Sequence, residues 1–402
     1  MITGIVEGFY GPMWDLLDRI SLLMFISRVG MNTYIYGPKW DPFHRDRWRS
    51  PYPQNLMNEF SLLVDESRRA GVEFVYAISP GLDIDYSSKC DLALLVRKLE
   101  RLMNLGIESI AIFLDDIPPV VRGKGFRTLA EAQAKLVNEV FKELAPRKLI
   151  FCPTFYWGFN EKYIKEMGEV LNGKTHVMWT GPYVVSPRIS ENDVRKVVEI
   201  MGRKPLIWDN YPVNDYFLAK GVIRLHMGPL INRDPGLKDY ISGYVANPMN
   251  QAEASKFPLY TVACFLRRER YDPRRSSEEA VRLLVNDEVQ EDFNFLIGLN
   301  SASPMHPEGD GVLRKDNLER ALTMVGNLRR DLNNRKLLNE VEPVLAKIEL
   351  LVRTLKKGKS VKKLASMNNV QTCGEYEPPL TEEEMIGLFG SVIRVNRLAG
   401  GA

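Results

Sequence analysis

The sequence has few cysteines and histidines, and it lacks the short motifs of several common enzyme classes. Its four cysteines are widely spaced among 402 residues, and none forms a C-x-x-C pair. This spacing argues against a disulfide framework or zinc site and favours a reduced, cytoplasmic chain. The four histidines form no H-x-H or H-E-x-x-H pattern, no G-x-G-x-x-G follows the first apolar run, and no G-x-S-x-G occurs. We therefore expect neither a metal nor any other cofactor.

Strong charge and long apolar segments are also missing. The formal net charge is only +3, with 45% hydrophobic and 26% charged residues, which is usual for a globular protein. Such a balance predicts no nucleic-acid partner. No apolar run approaches the roughly 18 residues of a membrane span, and no basic-then-apolar leader precedes the first apolar run. We expect no membrane partner, and the sequence leaves oligomerisation open.

Short apolar runs, rich in β-branched and aromatic residues, recur along the first two thirds of the chain. Several intervals between them have the apolar spacing of amphipathic helices, as in 15–30, 55–71, 92–106 and 131–144. Alternating strands and helices indicate parallel strands covered by helices, and eight such units favour an α/β fold of the (β/α)8 (TIM) barrel type. The eight runs are 3–8, 33–38, 73–79, 109–116, 148–156, 176–182, 205–210 and 243–248.

The strand pattern stops near residue 265, and helical patterns replace it. Residues 313–332 and 337–357 have helical spacing. Two capping boxes, Ser276 with Glu279 and Thr381 with Glu384, predict further helix starts. We therefore predict a barrel domain over 1–265 and an α-helical C-terminal domain over 266–402. The basic tract 356–363 is interpreted as a solvated loop.

Polar and aromatic residues follow the predicted strands, where the active sites of such barrels lie. Carboxylates and amides can hold sugar hydroxyls, and an aromatic face can support a pyranose ring, so the set favours a sugar site. Each residue alone also has a structural explanation, such as a turn, a helix cap or a core aromatic. Paired carboxylates could alternatively bind Mg²⁺ or Ca²⁺. The residues are Gly8, Lys39, Asp115, Asp116, Tyr156, Trp208, Asn210, Asp215 and Asn247.

The segment FLDDIPP, residues 113–119, raises a geometric question. In a regular strand, Asp115 and Asp116 would point to opposite faces of the sheet. Both can reach one substrate only if the strand loses its regular form at this point. Pro118 and Pro119 exclude immediate entry into a helix. The sequence therefore predicts an irregular strand end at the aspartate pair.

Eight segments in order resemble glycoside hydrolase family 84, which contains the protein O-GlcNAcases and bacterial β-N-acetylglucosaminidases, some labelled hyaluronidases. The resemblance covers about residues 3–265 and implies a (β/α)8 catalytic domain that needs no cofactor. Phe155 and the Pro12–Met13 pair depart from the family pattern, which we expect to affect the rim of the pocket. The segments are GIVEGFYGPMW (4–14), NTYIYGPKWDPFHRDRWR (32–49), YAISPGLDI (76–84), FLDDI (113–117), CPTFYWG (152–158), WTGPYVVS (179–186), IWDNYPVNDY (207–216) and ANP (246–248).

The resemblance implies retaining, exo-acting removal of terminal β-linked N-acetylglucosamine (GlcNAc), with the substrate's own acetamido oxygen as nucleophile. By match of motif, Asp115 would orient the acetamido N–H, and Asp116 would be the general acid and then the base. Tyr156 would support the acetamido group, and Trp208 would form a pocket wall. The remaining matched residues, expected to hold sugar hydroxyls and the acetamido group, are Gly8, Lys39, Asn210, Asp215 and Asn247.

Three alternatives stay open at this point. The barrel could bind GlcNAc without catalysis, act on internal bonds as a hyaluronidase-like enzyme, or use an enzyme carboxylate as nucleophile. The expected partner is a GlcNAc-bearing glycoside, oligosaccharide or glycoprotein, and the sequence does not distinguish among these.

Overall fold

The computed structural model describes residues 1–218, 224–306, 309, 313 and 315–356. The chain folds into two compact units. The first contains residues 1–213 and 232–250, and the second contains the described parts of 214–231 and 251–402. The domain limits of 1–265 and 266–402 stay a prediction.

The first unit is a closed barrel of eight parallel strands in sequential order. The first strand pairs with both the second and the eighth, which closes the sheet. The predicted (β/α)8 barrel is therefore confirmed, and each of the eight apolar runs contributes a strand. The strands are Ile2–Glu7 (β1), Thr33–Tyr36 (β2), Glu73–Ile78 (β3), Ser109–Phe113 (β4), Lys148–Cys152 (β5), His176–Trp179 (β6), Leu206–Asp209 (β7) and Gly243–Ala246 (β8).

Six helices of the first unit follow the first six strands. Five begin at a polar side chain that accepts a backbone N–H of the first turn, such as Ser88 before the third helix and Thr128 before the fourth. Each of the four predicted intervals overlaps one of these helices, and three of the helices begin one to three residues before the interval. They are Leu16–Arg28 (α1), Gln54–Ala70 (α2), Lys89–Met103 (α3), Leu129–Leu144 (α4), Glu161–Val170 (α5) and Glu191–Met201 (α6).

The described part of the second unit is helical. Its helices are Asp215–Leu218 (α7), Ala252–Arg267 (α8), Pro273–Leu284 (α9), Gln290–Leu299 (α10), Leu318–Asp331 (α11) and Arg335–Lys356 (α12). None of the helices described is long and apolar enough to cross a membrane. Apart from Lys356, the basic tract 356–363, the Thr381–Glu384 capping box and the helix predicted after it lie outside the described residues.

The predicted start of the helix at Ser276 is wrong. Helix α9 begins at Pro273, and the Asp272 side chain accepts the N–H of Arg275. Proline is suited to the first helical position because its ring fixes φ near the helical value, and aspartate is a strong cap. Ser276 is buried inside the helix.

The barrel interior is closed by apolar side chains that alternate along the strands. The buried cluster includes Phe113 and Cys152 from neighbouring strands, together with Tyr156 and Trp208 near the strand ends. Because the interior is filled, a substrate can reach the polar residues only at the end of the barrel where the strands finish.

Candidate active site

The aspartate pair lies where β4 leaves the sheet. The strand ends at Phe113, and the Leu114 N–H still donates to the Cys152 carbonyl of β5 at 2.8 Å. Asp116 has φ of +51°, in the left-handed region, which costs a non-glycine residue about 1–3 kcal/mol. The predicted irregular strand end is thus confirmed.

Asp115 is buried and paired with a cation. Its Oδ2 accepts from Lys39 Nζ at 2.5 Å, and both side chains are almost fully buried. The Lys39 ammonium also lies over the rings of Phe113 and Trp208, 5.4 and 5.7 Å from their centroids. Asp115 Oδ1 is buried and has no hydrogen-bond partner in the described structure. Since an unsatisfied buried carboxylate oxygen is costly, this atom is suited to accept a donor from a ligand.

Asp116 differs from its neighbour because it is exposed and accepts two phenols. The Tyr156 hydroxyl donates to Oδ1 at 2.7 Å, and the Tyr10 hydroxyl donates to Oδ2 at 2.9 Å. Burial, and next the charge of Asp116, raises the pKa of both tyrosines well above the usual range. Both hydroxyls therefore keep their protons near neutral pH and act as donors. Their bonds limit the directions that the Asp116 carboxylate can take.

Trp208 and two asparagines form a connected wall at the ends of β7 and β8. Asn210 Oδ1 accepts from Trp208 Nε1 and from Asn247 Nδ2, each at 2.9 Å. Asn247 Oδ1 in turn accepts the Gly8 N–H at 3.3 Å. The Trp208 ring packs against Phe113, with ring centroids 5.0 Å apart. These bonds connect the ends of β1, β7 and β8, and through Phe113 the wall reaches the strand that carries the aspartates.

Gly8 is required by a close approach. A Cβ added at this position would lie 2.4 Å from Trp208 Cζ2, well inside van der Waals contact. Glycine therefore allows the indole to lie directly against the backbone of the first strand end.

Eight of the nine predicted site residues thus lie in the barrel unit, at the carboxyl ends of its strands. The ninth, Asp215, is the first residue of α7 in the second unit. Its role stays a prediction.

Two residues in contact with Asp116 were not predicted. Tyr10 binds its carboxylate, and Arg45 Nη2 donates to its carbonyl at 2.8 Å. The position of Tyr10 at the end of β1 was a usable signal, because every strand end faces the mouth. Arg45 gave no such signal, since it lies inside a long loop after β2.

Two other carboxylates on strands are buried and neutralised by neighbouring side chains. Glu7 is fully buried and accepts from Arg19 and Tyr34. Asp209 accepts two bonds of 2.8 Å from Arg233, and Tyr244 donates to it as well. Both oxygens of each of these acids have hydrogen-bond partners, whereas Asp115 keeps one oxygen without a partner and Asp116 is exposed. Asp115 and Asp116 are therefore better suited to bind and act on a ligand. Among the described residues, no group of three His, Cys, Asp or Glu side chains could hold a metal ion.

A (β/α)8 barrel with two differently placed carboxylates at its mouth is an arrangement suited to glycoside hydrolysis. A family model described as β-N-acetylglucosaminidase matches residues 3–297. The chain belongs to this family, and the resemblance to glycoside hydrolase family 84 is confirmed.

Named relatives agree with this assignment. The protein O-GlcNAcases of Rattus norvegicus and Mus musculus are each 36% identical over 273 residues. That match covers 65% of this chain but only 29% of each relative, so the chain spans less than a third of their length. Among solved structures, an aspartate-to-asparagine variant of the Thermobaculum terrenum O-GlcNAc hydrolase has a TM-score of 0.82 at 32% identity, covering 91% of this chain and 85% of its own. CpGH84B has a TM-score of 0.75 at 27% identity, with 96% and 71% covered.

Proposed function

We propose that the protein is a retaining exo-β-N-acetylglucosaminidase that removes terminal β-linked GlcNAc by substrate-assisted catalysis. The observation that carries the proposal is the contrast between the two neighbouring carboxylates. Asp115 is buried beside Lys39 with one oxygen unpartnered, and Asp116 is exposed beneath two phenols. The buried Asp115 is suited to act as a fixed negative charge. The exposed Asp116 is suited to transfer protons to the leaving group and from water.

In the first step, the acetamido oxygen of the substrate attacks the anomeric carbon while the bond to the leaving oxygen breaks. Asp116, in its protonated form, gives its proton to the leaving oxygen. Asp115 Oδ1 accepts the acetamido N–H and stabilises the positive charge that develops on that nitrogen. The bond between Lys39 and Oδ2 holds the Asp115 carboxylate in place. The product of this step is an oxazoline fused to the sugar ring, whose nitrogen keeps its proton and is hydrogen-bonded to the Asp115 carboxylate as an ion pair.

In the second step, water opens the oxazoline with the same two residues. Asp116, now a carboxylate, takes a proton from the water as the oxygen attacks the anomeric carbon. The acetamido group re-forms, and the configuration of the product equals that of the substrate. Tyr156, which is held as a phenol, supports the acetamido oxygen during both steps. The scheme needs neither a metal nor an enzyme nucleophile.

The wall formed by Trp208, Asn210 and Asn247 is suited to hold the sugar. The indole supplies an apolar face, and the amides can exchange their mutual bonds for sugar hydroxyls. We include Gly8, Lys39 and Asp215 in the binding set, in the roles that the family motifs imply.

The direct test is release of 4-nitrophenol from 4-nitrophenyl N-acetyl-β-glucosaminide by the purified chain. We expect turnover, with inhibition by a thiazoline that mimics the oxazoline. Binding of GlcNAc without turnover would instead indicate a non-catalytic barrel. Cleavage of internal bonds in a polymer would indicate endo action. Trapping by a 2-fluoro sugar without thiazoline inhibition would indicate a direct carboxylate nucleophile.

Substitution of each aspartate separates their roles. Asp116→Asn should lower kcat/KM by about 100-fold or more on substrates with poor leaving groups, and much less on activated aryl glycosides that need no acid. Asp115→Asn should lower kcat/KM on both kinds of substrate, because the negative charge of Asp115 beside the acetamido nitrogen is needed whatever the leaving group. The measurement is kcat/KM over a series of aryl glycosides. Equal losses on every substrate would contradict this division.

The natural substrate is a GlcNAc-bearing glycoprotein, oligosaccharide or small glycoside. A cytoplasmic site of action is part of the proposal, supported by the widely spaced cysteines of the sequence. Fractionation of source cells followed by immunodetection would test it.

A further inference from the structure

The backbone of Asp116 has a dedicated partner that the catalytic scheme does not use. Arg45 is 7% exposed, and its Nη2 donates to the Asp116 carbonyl at 2.8 Å, across 71 residues of sequence. Its Nη1 lies 3.4 Å from Ser79 Oγ. The carbonyl it holds belongs to the residue with φ of +51°. A charged donor to a carbonyl is stronger than a neutral one, so this bond is suited to hold a strained conformation.

The loop that carries Arg45 is itself fixed to the barrel. The Ser79 N–H at the end of β3 donates to the His44 carbonyl, and His44 Nδ1 lies 2.8 Å from the Ala77 carbonyl. A carbonyl can only accept, so Nδ1 carries the proton, and burial lowers the pKa of His44 so that the ring stays neutral. From α3, Lys98 Nζ donates to three carbonyls of the same loop, those of Phe43, Trp48 and Ser50. These bonds hold the loop in place, so the Arg45 guanidinium has a fixed position beside Asp116.

The direction of the Asp116 side chain depends on this backbone. Were Asp116 extended, its side chain would point away from the face reached by Asp115. The left-handed conformation brings its carboxylate to the hydroxyls of Tyr10 and Tyr156 instead. Those two bonds limit the orientation of the carboxylate, whereas Arg45 holds the main-chain carbonyl of Asp116.

We propose that Arg45 is a positioning residue for the general acid: it fixes the left-handed backbone of Asp116 and so aims that carboxylate at the leaving oxygen. In this proposal Arg45 does not contact the substrate. This inference rests on the proposed function, because it assigns Asp116 the role of acid.

The test is Arg45→Gln, assayed on a leaving-group series. A misplaced acid matters only when the leaving group needs a proton, and a shift of about 1 Å can cost about 100-fold in rate. We expect kcat on a poor leaving group, such as an alkyl or sugar aglycone, to fall by about 10- to 100-fold. Activated aryl glycosides should lose about threefold or less, and thiazoline inhibition should change little, because Asp115 is untouched. Arg45→Lys, which keeps one charged donor, should recover part of the loss.

Arg49→Gln is the matched control. Arg49 lies in the same loop and binds Asp83 and Asp91 rather than the aspartate pair. We expect it to lower thermal stability without any dependence on the leaving group. If Arg45→Gln behaves in the same way, Arg45 is only structural and the proposal is wrong. Should Arg45→Gln fail to fold, Arg45→Lys is compared with Arg49→Lys on the same series, with the same criterion.

A double variant separates failure of this inference from failure of the proposed function. In an Asp116→Asn background there is no acid left to aim, so Arg45→Gln should add little further loss on poor leaving groups. An undiminished effect there would overturn the positioning role. If Asp116→Asn itself shows no dependence on the leaving group, the assignment of the acid fails instead.

Discussion

At the scale of single residues, the sugar-binding wall depends on the absence of one side chain. Gly8→Ala would put a methyl group 2.4 Å from Trp208 Cζ2. Because Trp208 is buried against Phe113 and bonded to Asn210, the indole cannot move without breaking those contacts. We expect kcat/KM to fall by about tenfold or more and stability to fall by about 1–3 kcal/mol. Steady-state kinetics and thermal unfolding would measure the two effects.

Gly173→Ala is the control for this substitution. A Cβ at Gly173 would meet nothing within 4 Å. Its effect on stability should stay within about 0.5 kcal/mol, with activity unchanged. If Gly8→Ala were as harmless as the control, the close approach to Trp208 would have no functional weight.

The position of a residue at the barrel mouth could be predicted only where the residue stands at a strand end. Asp115, Asp116 and Tyr156 follow their strands directly, so strand pattern and position together indicated the mouth. Arg45 could not be found in that way, because its bond to the Asp116 carbonyl joins positions 71 residues apart. Spacing along the chain contains no information about such a contact. The sequence predicted that the strand would be irregular at the aspartate pair, but it did not predict that Asp116 would adopt a left-handed φ.

At the scale of elements, periodicity predicted the strands well and the helix starts less well. A buried parallel strand is a continuous apolar run bounded by polar or glycine residues, and β4 was predicted to the residue at its start, Ser109. The start of α9 was wrong because two capping signals stood four residues apart. Asp272 with Pro273 outweighs Ser276 with Glu279, since proline fixes φ at the first helical position.

Two helix glycines give opposite predictions for the same substitution. Gly326 is exposed within α11, and a Cβ there would meet nothing within 4 Å. Gly326→Ala should stabilise the second unit by about 0.5–1 kcal/mol, because alanine loses less conformational entropy in a helix. Gly168 lies in α5, where a Cβ would come within 2.2 Å of the Met201 carbonyl oxygen. Gly168→Ala should destabilise the first unit by about 1–3 kcal/mol.

Calorimetry of the two variants beside the unmodified chain would measure these shifts. The pair controls for the chemistry of the substitution, since each replaces glycine by alanine inside a helix. If both substitutions stabilised the protein, helix propensity alone would decide the outcome. If both lowered its stability, local crowding alone would decide it. Either result would contradict the prediction.

At the scale of the whole molecule, the barrel could be predicted because its unit repeats eight times. Each strand and helix adds weak evidence, and eight successive units together favour the closed order β1 to β8 that the structure has. The second unit has no such repeat. The described residues of 214–231 belong to that unit but are separated in sequence from the rest of it, an arrangement that no local pattern indicates. Composition and periodicity are properties of continuous segments, so they cannot assign a discontinuous one.

Buried phenols make the stability of the molecule sensitive to alkaline pH. Burial, with neighbouring carboxylates in several cases, raises the pKa of each phenol well above 10, whereas an unfolded tyrosine titrates near 10. Above pH 10 the folded state therefore binds more protons than the unfolded state, and stability falls with rising pH. Each such tyrosine contributes up to about 1.4 kcal/mol per pH unit. Buried phenols of this kind include Tyr34, Tyr36, Tyr52, Tyr76 and Tyr244.

Lys98 has the opposite effect over a lower range of pH. Burial lowers its pKa to about 8, so between about pH 8 and 10 the unfolded state binds the extra proton and stability rises with pH. We therefore expect stability to be flat or rising up to about pH 10 and then to fall steeply. Denaturant unfolding at stepped pH would give this curve, and tyrosinate absorbance would report whether the phenols ionise only on unfolding.

Tyr76→Phe should reduce the alkaline slope by about 1.4 kcal/mol per pH unit. Ionisation of these tyrosines near pH 10 in the folded protein would contradict the prediction, because it would mean that their hydroxyls are open to solvent.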